Sequence, residues 1–332
     1  MNKKWILLGL LLIFLFTFPL YSTNYLLHIG IITLMFAFAS QAWNIISGYS
    51  GQFSFGHAAF FGVGAYTSTV LLVEYNVNPW IGMFIGAFVA AAIAALLGFL
   101  TFRYKLKGAY FSLSTLAFAE ILRVLVKNTD FFRKTMGIMI PLDINPFWYQ
   151  FQSRVGYYYT ILILTIIITA IVYFISKSRL GFNLIAIREN EDAAQSLGVR
   201  TFKNKMIAIT LSGGLTAFAG TFYAQYLLFV KPETVFTSDI SVSILMPAIV
   251  GGVGTVAGPI VGSFIVTPLG ELTSSLFSNL AGTNLIAYGI IIILIILFMP
   301  EGVVGRFNDW VNRRKKGKDN GNTHEEKERV TS

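Results

Sequence analysis

Residues 80–102 read WIGMFIGAFVAAAIAALLGFLTF, 23 positions without a charge. As a helix rising 1.5 Å per residue, the run is ~34 Å long, enough to cross the hydrocarbon of a bilayer. A helix that is apolar on every side belongs in a membrane or a large core, not at a water-facing surface. Comparable runs lie before it at 5–22, 25–47 and 57–73. After it come 108–126, 157–176, 206–228, 240–253, 256–276 and 283–300. The expected fold is therefore all-α, a polytopic integral membrane protein of about ten transmembrane helices. The third and eighth runs are short and adjoin glycine-rich sequence, which predicts broken or re-entrant segments near 48–57 and 251–259. Such backbone is tolerated at membrane depth only inside protein or along a polar cavity.

The composition agrees. Apolar residues make up 55% of the chain and charged residues 12%, against roughly 25% charged in a soluble domain. The absence of cysteine excludes disulfides, thiol catalysis and thiolate-bound metals. His28, His57 and His324 are far apart, so no histidine metal site is expected. The net charge of +9 would suggest nucleic acid in a soluble chain, but here the basic residues flank apolar runs and set orientation. Alternating from a cytoplasmic N-terminus places 19 of the 25 Lys and Arg inside and five outside, with Arg123 within a span. Both termini are thus expected in the cytoplasm, and the protein in the cell membrane. The start, Met1-Asn2-Lys3-Lys4 before an apolar run, has the look of a signal peptide. Pro19, Leu20 and Tyr21 occupy the place of a small-x-small cleavage site, so it reads as a retained first span. The expected organisation is a transmembrane domain over 1–308, with a polar inner segment at 177–205, and a charged, disordered tail over 309–332.

The glycines fall into two groups at matching places in the two halves of the chain. One holds Gly48, Gly51, Gly56, Gly62 and Gly64, with Gln52, Ser54 and His57 beside them; the other holds Gly251, Gly252, Gly254, Gly258 and Gly262. Gly254, Gly258 and Gly262 recur every four residues, a face that lets helices approach closely. Packing and unwound backbone beside a translocation path both fit, and a repeat of the kind common in transporters is suggested. Glu120 and Arg123, three apart in the fifth run, are expected to form an ion pair and are candidates for the path. Gln41, Asn44 and Gln225 read as interhelical hydrogen bonders, and Glu271 sits in the ninth run without a local partner.

The run GYSGQFSFGHAAFFGVGAYTS at 48–68 resembles the hallmark of LivM-type permease subunits for branched-chain amino acids, which belong to ATP-binding-cassette importers. The resemblance continues through KGAYF at 107–111, LAFAEILR at 116–123, SRLG at 178–181 and AIRENEDAA at 186–194. It ends with GGVGTVAGP at 251–259 and MPEG at 299–302, so it covers nearly everything from about Leu34 to Gly302. The pattern departs at Glu301, where a basic residue is common in the family.

Within 177–205, Asn190 suits a helix N-cap, Glu191 and Asp192 suit the first turn, and Gly198 suits the stop. A helix of about two turns is unstable alone and needs a surface to dock on, its own inner face or a partner's. The resemblance implies that Glu189, Asn190, Glu191, Asp192, Ala193, Ala194, Gln195, Ser196, Leu197 and Gly198 couple the spans to an ATPase subunit. It also implies two ATPase subunits, a companion permease forming a heterodimer, and an extracytoplasmic substrate-binding protein. The chain has no phosphate-binding loop: Lys134-Thr135 and Lys177-Ser178 are its only Lys-Ser/Thr pairs, and neither follows glycine. No cofactor is expected, and ATP belongs to the partners.

Urea or short-chain amides are the alternative cargo that the resemblance allows. An ion-coupled secondary transporter predicts a relay of intramembrane carboxylates, and only Glu120 and Glu271 qualify. An intramembrane enzyme would rest on Ser54 and His57 with no third group in nearby sequence, so no catalytic residue is expected.

Overall fold

A computed structural model describes residues 13–276, 283–299 and 301–306. Helix α1 covers 13–21. It is followed by α2 Asn24–Ser50, α3 His57–Tyr75, α4 Pro79–Arg103 and α5 Ala109–Asn128. Then come α6 Arg154–Lys177, the short α7 Arg179–Glu189 and α8 Glu191–Ser196, and α9 Thr201–Leu227. The series ends with α10 Pro232–Val235, α11 Ser238–Gly251, α12 Gly258–Leu276 and α13 Thr283–Phe298. The strands β1 Ile138–Met139 and β2 Phe229–Val230 pair antiparallel, with Ile138 opposite Val230.

Among the described residues, seven helical stretches are long and apolar enough to cross a membrane: α2, α3, α4, α5, α6, α9 and the α10–α11 run Pro232–Gly251. The chain is an all-α polytopic membrane protein. Helices α12 and α13 stand where two further spans are expected. The second half of α12 carries Thr267, Glu271, Thr273, Ser274 and Ser275, which dilute its apolar character, and α13 has 16 residues. The start of the first expected span and the 309–332 tail lie outside the described residues.

The helix ends follow local chemistry. Asn78 accepts the Trp80 N–H at 2.9 Å, and Pro79 fills the first helical position of α4, where its missing N–H costs nothing. The third span, expected to be irregular, is an uninterrupted helix of 19 residues; the break lies ahead of it, at 51–56. The eighth is irregular as expected, because α10 and α11 are separate and α11 has 14 residues. A second break follows it at 252–257.

Helix α2 is the centre of the bundle, with 89% of its apolar window buried against 22% for α5. Helices α3, α4 and α9 pack together beside it. A methyl on Gly64 would strike the Ala217 carbonyl oxygen, and one on Gly220 would strike that of Phe61, so the α3 and α9 backbones touch. Small residues allow that approach where water supplies no drive for helix association.

The two ends of the bundle differ. At one end, the loop over 129–153 is an ordered cap, held by Arg133–Glu74 at 2.9 Å and the β1–β2 pair. Trp80 stacks on Tyr149 there, ring centres 3.9 Å apart. The other end carries Arg103, Lys105, Lys107, Lys177, Arg179, Arg188, Arg200 and Lys203 on α4, α6, α7, α9 and their connections. It is called the basic end below.

Candidate functional site

The two helix breaks meet at the basic end. The last turn of α2 is the contact, since a methyl on Gly48 would lie 2.7 Å from the Gly254 nitrogen. Asn44, one turn earlier, holds the second break from both sides. Its Nδ2 donates to Thr255 O at 2.9 Å and its Oδ1 accepts from the Gly254 N–H at 2.8 Å. Gln41 Nε2 donates to Val256 O at 2.6 Å. The expected hydrogen-bonding role of Gln41 and Asn44 is therefore specific: they satisfy backbone that has left its helix. Gln225 is buried, and its side-chain amide makes no hydrogen bond among the described residues.

Three glycines in the breaks adopt left-handed backbone, Gly51 at φ +70°, Gly252 at +129° and Gly254 at +77°. An L side chain is strained there. Gly258 and Gly262 serve packing: a methyl on Gly262 would run into the Pro247 carbonyl of α11. Gly302, from the closing MPEG motif, sits over Gly252, and a methyl on it would lie 2.5 Å from the Gly252 Cα. The two glycine groups, 200 residues apart in sequence, thus form one structure.

Arg188 ties this structure to the inner segment. It lies near the end of α7, and its Nη1 donates to Gly48 O at 3.0 Å. A methyl on Gly254 would fall 2.5 Å from the same Nη1, and one on Gly51 would fall 2.8 Å from Arg188 Cγ. One side chain therefore touches both breaks. Two residues later, Asn190 caps α8 by accepting the Ala193 N–H at 2.9 Å.

Helix α8 forms where the cap and stop residues place it, and Gly198 ends it at φ +89°. One face is seated on the chain itself. Ala194 is buried, and Glu191 accepts from Lys205 Nζ at 2.5 Å, with Lys107 Nζ 3.6 Å from its other oxygen. Lys205 is 3% exposed and also lies 4.8 Å from the Phe102 ring centre. Asp192, 3.2 Å from Lys107 Nζ, holds that ammonium above the usual lysine range. The other face, with Ala193, Gln195 and Ser196, is exposed, and Leu197 is 87% exposed.

The first break is anchored by a buried network. Ser212 donates its only hydroxyl proton to Ala42 O at 2.6 Å, so it accepts from His57 Nε2 at 2.8 Å. The ring proton is then on Nε2, and Nδ1 accepts from Ser54 Oγ at 3.1 Å. Trp43 Nε1 donates to Ser54 O at 2.8 Å, and Thr115 of α5 accepts the Phe55 N–H at 3.0 Å. Ser54 and His57 do meet as a nucleophile and base would, but Nε2 is held by a serine rather than a carboxylate. Among the described residues no group of three His, Cys, Asp or Glu could hold a metal. The network is a staple joining α2, α3 and α9. His57→Ala removes the acceptor of the buried Ser54 hydroxyl proton and the donor to Ser212, at a cost of ~2 kcal/mol. A lowered midpoint in detergent unfolding, with Ser54→Ala less affected, is the expected result; an unchanged midpoint contradicts it.

Glu120 and Arg123 pair as expected, Arg123 Nε donating to Glu120 Oε2 at 2.9 Å. They do not join the breaks. They stand on the outward side of α5, whose inner side carries Phe111, Thr115 and Ala119. Gln52 is buried within the first break, and its Oε1 has no partner among the described residues. Arg188 and Lys205 were hidden in the sequence. Both look like orientation charges, and their partners lie 140 and 14 residues away.

The bundle thus brings two interlocked helix breaks together beside a short surface helix. The chain belongs to the family described as branched-chain amino acid transport system, permease component, which matches residues 23–299. It is 27% identical to the high-affinity branched-chain amino acid transport system permease protein LivM of Escherichia coli K12, over 91% of this chain and 75% of that protein. It is 29% identical to the probable branched-chain amino acid transport permease protein LivH of Methanocaldococcus jannaschii, over 58% of this chain and 59% of that one. The autoinducer 2 import system permease protein LsrC of Photorhabdus luminescens is 30% identical over 37% of each chain. No solved structure matches.

Proposed function

We propose that this chain is the permease subunit of an ATP-binding-cassette importer for leucine, isoleucine and valine. The observation that carries the reading is the double face of α8. Its inner face is fixed to the bundle by Glu191 and Ala194, and its outer face leaves Leu197 standing in solvent. An apolar tip on a seated helix suits a groove in a second protein.

On this reading the basic end faces the cytoplasm and receives two ATPase subunits. Closure of the ATPases moves α8; Arg188 passes the movement to the meeting point of the breaks. The ordered cap over 129–153 meets the extracytoplasmic binding protein. The outward side of α5 faces the companion permease and the path between the two subunits. The Glu120–Arg123 pair supports that placement, because an ion pair within a span is costly against lipid and is usual beside protein or water. The few fixed charges of the spans suit a zwitterion with an apolar side chain.

Leu197→Asp is expected to cut co-purification of the ATPase subunits by about tenfold, since it places a charge in an apolar contact. The permease itself should keep its yield and unfolding midpoint, because Leu197 touches little of its own chain. Equal recovery of ATPase with wild type and variant counts against α8 as the docking element. Ala194 is unsuited to this test: it is buried, and a bulky residue there unseats the helix.

A further inference from the structure

A separate cleft lies at the basic end between the end of α4, α8 and the start of α9, with a volume of about 550 Å³. Four cations line it: Arg103, Lys105, Lys107 and Lys205. Lys107 and Lys205 are neutralised by Glu191 and Asp192. Arg103 and Lys105 have no carboxylate within salt-bridge distance among the described residues. The cleft thus holds two uncompensated positive charges.

Its position relative to the membrane is readable from α4. The exposed side of that helix runs Phe84, Phe88, Leu96, Phe99 and Leu100, all apolar, and then ends at Arg103. That sequence of side chains passes from acyl chains to headgroups. Phe99 and Phe202 meet edge to face with centroids 6.4 Å apart, and both are exposed at the cleft.

The turn that holds Lys105 is informative by itself. The Leu106 N–H bonds to Thr101 O at 3.0 Å and the Lys105 N–H to Phe102 O at 3.2 Å, with Lys105 at φ +54°. This is a Schellman cap, and glycine is the usual residue at its left-handed position. Here the position keeps a lysine at a conformational cost that glycine would avoid.

We propose that this cleft binds the phosphate of an anionic phospholipid headgroup. Arg103 and Lys105 contact the phosphate, and Phe99 and Phe202 contact the first methylenes of the chains. Basic pockets between helices at the membrane surface take such headgroups. The proposal holds whatever cargo the spans carry. Because α8 forms one wall, a bound headgroup would also support the seat of that helix.

Native mass spectrometry of the full chain in detergent tests the site, with phosphatidylglycerol and phosphatidylcholine offered at equal concentration. Phosphatidylglycerol should be retained preferentially, and the Arg103→Gln/Lys105→Gly variant should lose that preference by about tenfold. Lys105→Gly relieves the left-handed strain, so the fold should be at least as stable, and an unfolding midpoint at or above wild type shows that lost lipid is not lost structure. Lys177→Gln/Arg179→Gln, at the same end outside the cleft, should retain the lipid. Three results overturn the proposal. In one, both double variants lose lipid equally, or neither does. In another, millimolar inorganic phosphate displaces the lipid, which makes this a soluble-anion site. In the third, the cleft variant loses ATPase subunits while keeping its lipid preference, which makes the cleft a protein contact.

Discussion

Arg188→Ala is expected to cut ATP-driven uptake severely while leaving the assembled importer intact. Arg188 is the one described side chain that reaches from the α7–α8 segment to both helix breaks. Its side chain is 37% exposed, and its bond to Gly48 O is a single charge-assisted contact. A partly exposed bond of that kind contributes little to folding. Removing it should spare the bundle and spare α8, whose cap and seat are made by Asn190, Glu191 and Ala194. What is lost, on the proposed function, is the mechanical link. Uptake should fall by ~tenfold or more, the range of an ordinary coupling free energy between two sites. ATP hydrolysis should continue but no longer respond to loaded binding protein. Arg188→Lys should recover part of the link, because an ammonium can reach one carbonyl but not span two breaks. Normal uptake by the alanine variant would remove Arg188 from the mechanism. Loss of the ATPase subunits would make it part of the docking surface instead.

The second large effect concerns Lys205. A lysine 3% exposed is held in place by Glu191 at 2.5 Å and by the Phe102 ring. Glu191→Ala removes the nearest compensating charge and leaves the ammonium buried. Breaking one partner of a buried pair costs ~3 kcal/mol or more, far above the value of a surface pair. The start of α8 should detach, and the unfolding midpoint should drop well below that of Asp192→Ala, whose side chain is exposed. Replacing both members, Glu191→Gln with Lys205→Met, should recover most of the loss, because no uncompensated charge remains. If Glu191→Ala and Asp192→Ala unfold alike, the pair is not what seats α8.

Much of this was legible in the sequence, for definite reasons. Spans such as 80–102 declare themselves because lipid demands long uncharged runs. The breaks declare themselves through glycine, since Gly51, Gly252 and Gly254 take dihedrals that other residues avoid. Helix α8 was readable from Asn190 and Gly198, because caps are local chemistry. What sequence could not show is how the pieces meet. Nothing near Arg188 marks Gly48 as its partner, and Lys205 resembles its exposed neighbour Lys203. Glu120–Arg123 was readable as a pair from its spacing, but its outward placement depends on the packing of the whole of α5. The third span reads as irregular in the sequence because it is short and adjoins the glycine-rich stretch 48–56. In the fold, Gly64 is where α9 packs against it.

On the proposed function, this chain carries branched-chain amino acids with energy delivered through α8 and Arg188. Radiolabelled leucine uptake into proteoliposomes holding the complete importer, with and without ATP, tests it most directly. The prediction is uptake that requires ATP and the binding protein, is competed by isoleucine and valine but not by urea, and is cut severely by Arg188→Ala. Leucine accumulation without ATP, or ATP-driven uptake of urea alone, would contradict it.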